Sequence, residues 1–308
     1  PGGVAAGLSL WLRADSGTNP SGTGTLSNWI DQAKGNHASQ IGTGTLPTLI
    51  DGSATLFNFN KAVQFTATDQ KIGNIASTTT GSSAYDVFSF TKEGMTGSRF
   101  FNIGRNNTNL DGTNWDTPGF YTNGQIPIRR ASDGALLYGS NPGGTFDALI
   151  PSITYHRFTD VSATKGFNGA ATGTVATYGS AGTPTGGYIV GNNSGSGSGG
   201  DDPGFIGIVG EFVAYNRNLS TTERRQVDSY MAIKYGITLD QTTVANYLSS
   251  DGSVVWGTST NTGYNNNIAG IARDDASAFL QKQSKSVNSG LQPTIGQAGQ
   301  LAATNAAH

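Results

Sequence analysis

Carboxylates are the side chains with which this chain could hydrolyse a glycosidic bond, because retaining hydrolysis needs two carboxyl groups about 5–5.5 Å apart. The chain has only three glutamates, Glu93, Glu211 and Glu223, and none has an acidic residue two or four positions away. Glu223 fits a helix cap, and Glu211 is expected to be a structural carboxylate bonded to backbone or to Arg217. The sequence therefore predicts that the chain is not an enzyme.

Other catalytic patterns are missing as well. The sequence has neither a G-x-S-x-G nucleophile elbow nor a phosphate-binding G-x-x-x-x-G-K-[ST] loop. Its histidines, His37, His156 and His308, are too scattered for a catalytic zinc site, and each is interpreted as a surface or hydrogen-bonded residue. The absence of cysteine excludes disulfides, thiolate zinc sites and cysteine nucleophiles.

Calcium is the metal that the acidic residues favour. Seventeen of the twenty acidic residues are Asp, many in Gly- and Asn-rich loops, and Ca²⁺ prefers oxygens from short side chains and backbone carbonyls. The loop GNNSGSGSGGDDPG predicts a calcium site formed by Asn192, Asn193, Asp201 and Asp202. Its spacing is not that of an EF-hand, and the alternative is a solvated loop in which Asp and Asn serve turn chemistry.

A second loop, NLDGTNWDTPGFY, has the densest mixture of aromatic and polar side chains in the chain. Sugar recognition needs flat apolar faces for stacking together with amides and carboxylates that bind hydroxyl groups. We therefore predict a ligand site here, formed by Trp115, Tyr121, Asp111, Asn114 and Asp116.

Three further aspartates have simpler interpretations. Asp31 could bind metal or cap the turn that follows it, and the cap is preferred. Asp274 and Asp275 could form another calcium site, although the adjacent Arg273 favours ordinary surface pairing.

The elements that position these residues are clearest in GFIGIVGEFVAYNRNLSTTERRQVDSYMAIKYG, residues 204–236. Two β-rich runs and an Asn-containing turn lead into a helix whose capping box is Ser220 and Glu223. Gly236 stands where a left-handed C-terminal residue is required. The spacing of Val227, Tyr230, Met231 and Lys234 predicts one apolar stripe that ends in a snorkelling lysine, so that the helix packs on a sheet.

The rest of the chain consists of short apolar segments, such as the strand candidates Ser152–Phe158 and Val254–Trp256, separated by Gly, Asn, Pro, Ser and Thr. Forty-five glycines and only 12% charged residues suit many short strands joined by turns. The predicted fold is all-β: a two-sheet antiparallel jelly-roll sandwich with one amphipathic helix, followed by a partial β segment. Trp11 and Trp29 lie in apolar runs and are assigned to the core.

A domain boundary is expected near residue 240, where the helix ends and a polar segment begins. Residues 1–240 form the predicted sandwich. Residues 241–308 have few apolar side chains, and three interpretations stay open for them. They are the start of a following β module, a strand-donating extension, or a segment that packs on the first domain or on a neighbouring chain.

The succession SLWLRAD, SNWIDQAKGNHASQ, AVQF, KGFNGAATG, GGYIVGN and then residues 204–236 resembles the concanavalin A-like lectin/glucanase superfamily, in its laminin-G-like branch of large bacterial secreted proteins. The resemblance covers residues 1 to about 240 and is most specific in its last forty. It implies a jelly roll, export to the cell surface, and glycan or protein binding that often depends on calcium. The sequence begins without a charged or strongly apolar leader, so a signal peptide is either absent or already removed, and the resemblance favours removal.

The leading functional prediction is a non-catalytic adhesion module of a bacterial surface protein that binds a glycan or a protein partner. One alternative is a structural fibre subunit that self-associates through its C-terminal segment by β-augmentation, and another is a polysaccharide-degrading hydrolase. A formal charge of −2 argues against nucleic acid as a partner. No apolar run approaches the ~20 residues of a membrane-spanning helix.

Overall fold

The structure is a computed structural model that describes residues 1–42, 44–52, 57–76, 81–94, 99–105, 119–121, 126–129, 136–139, 150–177, 186–191, 204–243, 245–290, 292–297 and 301–308. The first thirteen strands are β1 (Leu8–Arg13), β2 (Thr18–Asn19), β3 (Gly24–Thr25), β4 (Asn28–Trp29), β5 (Ala38–Gln40), β6 (Thr48–Ile50), β7 (Ala62–Phe65), β8 (Ile72–Asn74), β9 (Tyr85–Glu93), β10 (Arg99–Arg105), β11 (Gly119–Tyr121), β12 (Ile126–Arg129) and β13 (Leu136–Gly139).

Five more strands precede the helix: β14 (Ser152–Phe158), β15 (Ser162–Phe167), β16 (Ala170–Thr177), β17 (Gly187–Val190) and β18 (Gly207–Tyr215). The helix α1 spans Thr221–Tyr235. After it come β19 (Tyr247–Leu248), β20 (Val254–Trp256), β21 (Ala272–Asp274), a 3-10 turn (Asp275–Ser277), β22 (Phe279–Gln281), β23 (Gln283–Ser284) and β24 (Ile295–Gly296). The regular secondary structure of the described residues is therefore all β, apart from α1 and the 3-10 turn Asp275–Ser277.

Two antiparallel sheets form the sandwich. The larger has the order β16-β15-β14-β9-β18-β7-β6-β3, with β1 also paired to β18. The smaller has the order β11-β10-β17-β8-β5-β4-β2. The predicted all-β antiparallel sandwich with one helix is thus confirmed. One detail was wrong: the two runs on either side of Gly210 are not two strands but one strand, β18, with a bulge between Val209 and Glu211.

The larger sheet is buried on both faces. Its inner face, which includes Leu10 and Phe212, packs on the smaller sheet, which contributes Trp29 to the same core. Its outer face is covered by α1 and the C-terminal residues, and Phe88 and Tyr215 belong to this second core. A strand with two buried faces reads as a continuous apolar run, which is why the β1 and β18 segments lack clear alternation.

The helix begins and ends where its cap residues predict. The Ser220 side chain accepts from the Glu223 N–H, the Glu223 carboxylate accepts from the Ser220 N–H, and Gly236 is left-handed with φ 68°. Gly210 on β18 provides the close approach, since a Cβ there would lie 2.7 Å from Phe90 and 2.8 Å from Tyr235. The Phe90 and Tyr235 rings consequently stack with centroids 3.8 Å apart.

The residues after the helix lie against it rather than apart from it. The Gln281 side-chain amide donates to the Ile233 carbonyl at 2.8 Å, and the Val287 N–H donates to the Gly236 carbonyl at 3.0 Å. Asn58, in the first part of the chain, donates to Lys234 O at 3.0 Å and accepts from the Lys285 N–H at 2.6 Å. These bonds hold the C-terminal segment to the outer face of the sandwich, while the boundary near residue 240 stays a prediction.

Candidate functional site

The residues that the sequence singled out for ligand and calcium binding lie outside the described residues. This holds for Asp111, Asn114, Trp115 and Asp116 of the aromatic loop, and for Asn192, Asn193, Asp201 and Asp202 of the glycine-rich loop. Tyr121 ends strand β11, and its side chain also lies outside the described part. Both sites therefore stay predictions.

A groove of about 550 Å³ lies between α1 and the C-terminal strands. Its lining combines side chains of Tyr230 and Ile233 from the helix with Trp256 from β20 and Phe279 from β22. The remaining lining residues are Gly2 and residues of the β19–β20 hairpin and of the segment around β21: Tyr247, Leu248, Ser249, Ser250, Asp251, Val255, Ile268, Ala269, Gly270, Ile271, Ala272, Arg273, Asp274, Asp275 and Ser277. A mostly apolar concave site with a few polar groups is the usual form of a small-ligand site.

Trp256 is the half-buried aromatic residue of this groove. Its indole N–H donates to the Asn265 side-chain oxygen at 2.8 Å, and the Asn265 amide donates to the Thr258 carbonyl at 2.8 Å. The ring is therefore fixed before any ligand arrives, which reduces the entropy lost on binding. Sequence reasoning recognised only the strand here, because an isolated VVW run has no feature that distinguishes a ligand platform from core.

The carboxylates of the groove are held by turn contacts. Asp274 accepts from Ser250 Oγ at 2.7 Å and from Ser277 Oγ at 3.2 Å. Asp251 accepts from the Ser253 N–H at 2.9 Å. Asp275 pairs with Arg273 at 2.7 Å, so the predicted surface pairing of Arg273 is confirmed. These contacts hold the groove rim in a defined shape.

A second polar cluster is buried between β18 and α1, and its centre is Glu211, which is 0% exposed. Its carboxylate accepts hydrogen bonds from the Trp11 indole N–H, from Tyr230 at 3.0 Å and from Tyr235 at 3.0 Å. Lys234 Nζ completes the set at 2.8 Å. Glu211 is structural, as expected, but its partners are these four side chains and not Arg217, which instead pairs with Glu223 at 2.6 Å.

Lys234 does not snorkel. Its side chain is 1% exposed, and its ammonium lies between Glu211 and Asp15, 3.1 Å from the latter. Arg13 binds Asp15 with both ends of its guanidinium, at 3.0 and 2.9 Å. Burial alone would raise the pKa of Asp15, but Lys234 and Arg13 outweigh it and hold that pKa well below its usual value. The positive charges of Lys234 and Arg13 therefore balance the negative charges of Glu211 and Asp15 within one cluster.

The prediction for the lysine was wrong for a physical reason. A lysine at the end of an apolar helical stripe extends to solvent only where solvent is near. Here residues after β20 cover this end of the helix, and Arg13 reaches the Ala278 carbonyl at 2.8 Å. The Lys234 amine therefore binds the carboxylates of Glu211 and Asp15 instead of water.

His156 and Asp31 are both buried in the fold. His156 is 1% exposed on β14, so of its two interpretations, surface or hydrogen-bonded, the surface one is wrong. Burial, followed by the charge of Lys165, lowers its pKa to about 3. Asp31 caps its turn, as preferred, accepting from the Lys34 and Asn36 N–H groups at 2.9 Å each. In the described ranges, no three His, Asp or Glu side chains converge as a group that could hold a metal ion.

A family model matches the C-terminal part of the chain. The model describes a domain of unknown function (DUF8202) and matches residues 223–308, which include most of α1 and the segment after it. Curated proteins yield no match to this chain. Among the helices of the described residues, none has the length and apolarity to cross a membrane.

Solved structures that resemble the chain are β-rich. An arabinofuranosidase complexed with arabinofuranosyl-alpha-1,2-xylobiose is 15% identical over 75% of this chain, with a TM-score of 0.53, and a GH54 α-L-arabinofuranosidase is 14% identical with the same score. The match spans 60% of each of those chains. Domain 4 of the GH43 extracellular arabinanase AbnA from Geobacillus stearothermophilus, in complex with arabinotriose, has 16% identity, a TM-score of 0.47, and coverage of 72% of this chain and 98% of that one. At 14–15% identity, the likeness to the two arabinofuranosidases shows a shared fold and no more.

Proposed function

We propose that this protein is a non-catalytic, extracellular binding module of a surface protein, and that it holds a neutral glycan in the groove between α1 and the C-terminal strands. The observation that carries the proposal is the fixed indole of Trp256 at a concave site of about 550 Å³. A flat apolar face beside polar rim groups is the combination that sugar recognition requires. The aromatic loop with Trp115 is kept as a second, separate candidate for ligand contact.

The absence of catalysis is part of the same proposal. Glycoside hydrolysis needs two carboxyl groups on either side of the bond to be cleaved. In the described part of the chain, Glu211 is enclosed by its four donors, and Asp274 and Asp251 are engaged in turns around the groove. Release of reducing sugar from any polysaccharide would contradict this proposal and favour the hydrolase alternative.

The fold likeness accords with the proposed ligand class. The two arabinofuranosidases were solved with arabinofuranosyl-alpha-1,2-xylobiose and with 4-nitrophenyl α-L-arabinofuranoside. Because they share only the fold with this chain, neutral oligosaccharides of this kind are probes and not an assigned ligand. The finer assignment to the laminin-G-like branch, with export to the bacterial surface, belongs to this proposal too.

Replacing Trp256 tests the site directly. On an array of neutral oligosaccharides that includes arabinofuranosyl-xylobiose, Trp256→Ala is expected to weaken binding about tenfold, because the stacking face is lost. Tyr264→Ala is the matched control, since Tyr264 is 77% exposed and does not line the groove. No binding by the unchanged protein, or equal losses in both variants, would overturn the assignment of the groove.

Calcium binding is proposed at the loop with Asn192, Asn193, Asp201 and Asp202. A ligand that binds only the folded state raises the melting temperature by mass action. Millimolar calcium added to chelated protein is therefore expected to raise the melting temperature, and Asp201→Asn with Asp202→Asn should abolish the increase. An unchanged melting temperature in the unsubstituted protein would remove calcium from the proposal.

A fibre subunit is the second candidate function, and one observation favours it. Within the described residues, strands β20 and β21 each pair on one side only, with their hairpin partners, and Val254 and Val255 of β20 are 55% and 53% exposed. An edge strand of this kind can accept a strand from another molecule. Ordered filaments in electron micrographs, with no signal on the glycan array, would favour this candidate over glycan binding.

A further inference from the structure

The contact between Lys234 and Glu211 is unusual because both groups are buried and nothing separates them. Their side chains are 1% and 0% exposed, and Lys234 Nζ lies 2.8 Å from Glu211 Oε2. We propose that these two side chains condense into an amide, which forms a covalent cross-link between strand β18 and helix α1. This modification is independent of any ligand of the groove.

Charge balance selects Glu211, and not Asp15, as the group that reacts. Joining Lys234 to Glu211 removes one buried cation and one buried anion, and it leaves Arg13 paired with Asp15 through two short contacts. Joining Lys234 to Asp15 would instead leave Glu211 as a buried anion without its lysine. Since an uncompensated buried charge is strongly destabilising, the first product is favoured.

The surroundings of Glu211 suit attack on its carboxyl carbon. Oε1 accepts from the Trp11 indole N–H and from Tyr230 at 3.0 Å, and Oε2 accepts from Tyr235 at 3.0 Å. Burial, followed by the charge of Glu211, raises the pKa of both tyrosines well above the usual value, so both hydroxyls remain donors. Fixed donors around a carboxyl group stabilise the negative charge of a tetrahedral intermediate.

The reaction balances without a co-reactant. The lysine nitrogen forms a bond to the Glu211 carboxyl carbon, the bond from that carbon to Oε2 breaks, and Oε2 leaves as water. Two of the three ammonium protons leave with this oxygen, and the third stays on the amide nitrogen.

A path for the protons is present. Lys234 Nζ donates to the Tyr230 hydroxyl at 3.2 Å, and that hydroxyl lies 3.3 Å from Oε2, so Tyr230 can relay one proton. The direct contact between Nζ and Oε2 carries the other. Asp15, 3.1 Å from Nζ, orients the amine.

Intact-mass spectrometry of the denatured full chain tests the proposal. The protein is expected to be lighter than its sequence by the mass of one water molecule. A tryptic digest should contain a branched peptide that joins residues 166–217 to residues 226–273, because trypsin does not cleave after an acylated lysine.

Two variants complete the test. Lys234→Met should have the full mass of its sequence, and Tyr230→Phe, which keeps both reacting groups, should form markedly less cross-link. An unsubstituted protein with its full sequence mass and a free 226–234 peptide would overturn the proposal, as would a branch to residues 14–34, which contain Asp15.

Discussion

Lys234→Met is expected to lower the free energy of unfolding by about 3–5 kcal/mol, the usual cost of leaving one buried charge without its partner. The substitution leaves the Glu211 carboxylate, which is 0% exposed, without the lysine nitrogen 2.8 Å away. Tyr230 and Tyr235 would still donate to the carboxylate, but neutral donors do not replace a positive charge. Urea denaturation followed by circular dichroism measures the change.

The double variant Lys234→Met with Glu211→Gln separates charge from packing. It removes both charges and keeps a side-chain oxygen for the tyrosine hydroxyls, so the stability lost through the unpaired charge is expected to return, whereas any stability that the cross-link contributes is not. Arg273→Met is a surface control, because the Arg273 and Asp275 side chains are 71% and 76% exposed, and its unfolding midpoint should match that of the unsubstituted protein. A single Lys234→Met variant as stable as the unsubstituted protein would contradict the role of the buried pair.

Acidification from pH 7 to pH 5 is expected to cost about 2 kcal/mol of stability through His156 alone. Burial, and then the charge of Lys165, lowers the pKa of this histidine from 6.5 to about 3. Below pH 6.5 the unfolded chain therefore binds a proton that the folded state does not bind. The free energy of unfolding consequently decreases as the pH is lowered, until the pH reaches the pKa of His156 in the folded state. Burial lowers the pKa of Lys165 to about 8, and its charge hardly changes in this pH range.

His156→Gln is expected to flatten the dependence of the unfolding free energy on pH between 7 and 5. His37→Gln is the matched control, because His37 is exposed and contacts the Asp31 N–H, and this variant should keep the slope of the unsubstituted protein. Denaturant titrations at several pH values give the slope. An unchanged slope in His156→Gln would mean that the histidine titrates normally in the folded protein.

Local signals in the sequence were sufficient for the helix, for many of the longer strands and for the fold class. The capping box of Ser220 and Glu223 and the left-handed Gly236 define α1 because each depends on hydrogen bonds within a few residues. Short β-rich runs such as Ser152–Phe158 and Val254–Trp256 are strands with the predicted bounds. Frequent turn residues between such runs are typical of a sandwich, and two packed sheets are present.

The burial and contacts of individual polar side chains could not be predicted from local sequence signals. Periodicity placed Lys234 at the end of an apolar stripe, but its burial is decided by residues more than forty positions further along the chain, which cover that end of the helix. Asp15 and Glu211 are far from Lys234 in sequence. Pairing of β1 with β18 places Arg13 opposite Glu211 and so brings Asp15 near it, and packing of α1 on this sheet brings Lys234 to both carboxylates.

The sequence by itself determined the helix with its cap residues, many of the longer strands and the sandwich class, because these depend on neighbouring residues and on the spacing of apolar positions. Only the tertiary structure decided the groove beside Trp256 and the buried cluster around Glu211. Both are formed where three separate parts of the chain meet, and contacts between such distant parts depend on packing of the completed sheets, which leaves no periodic pattern in the sequence.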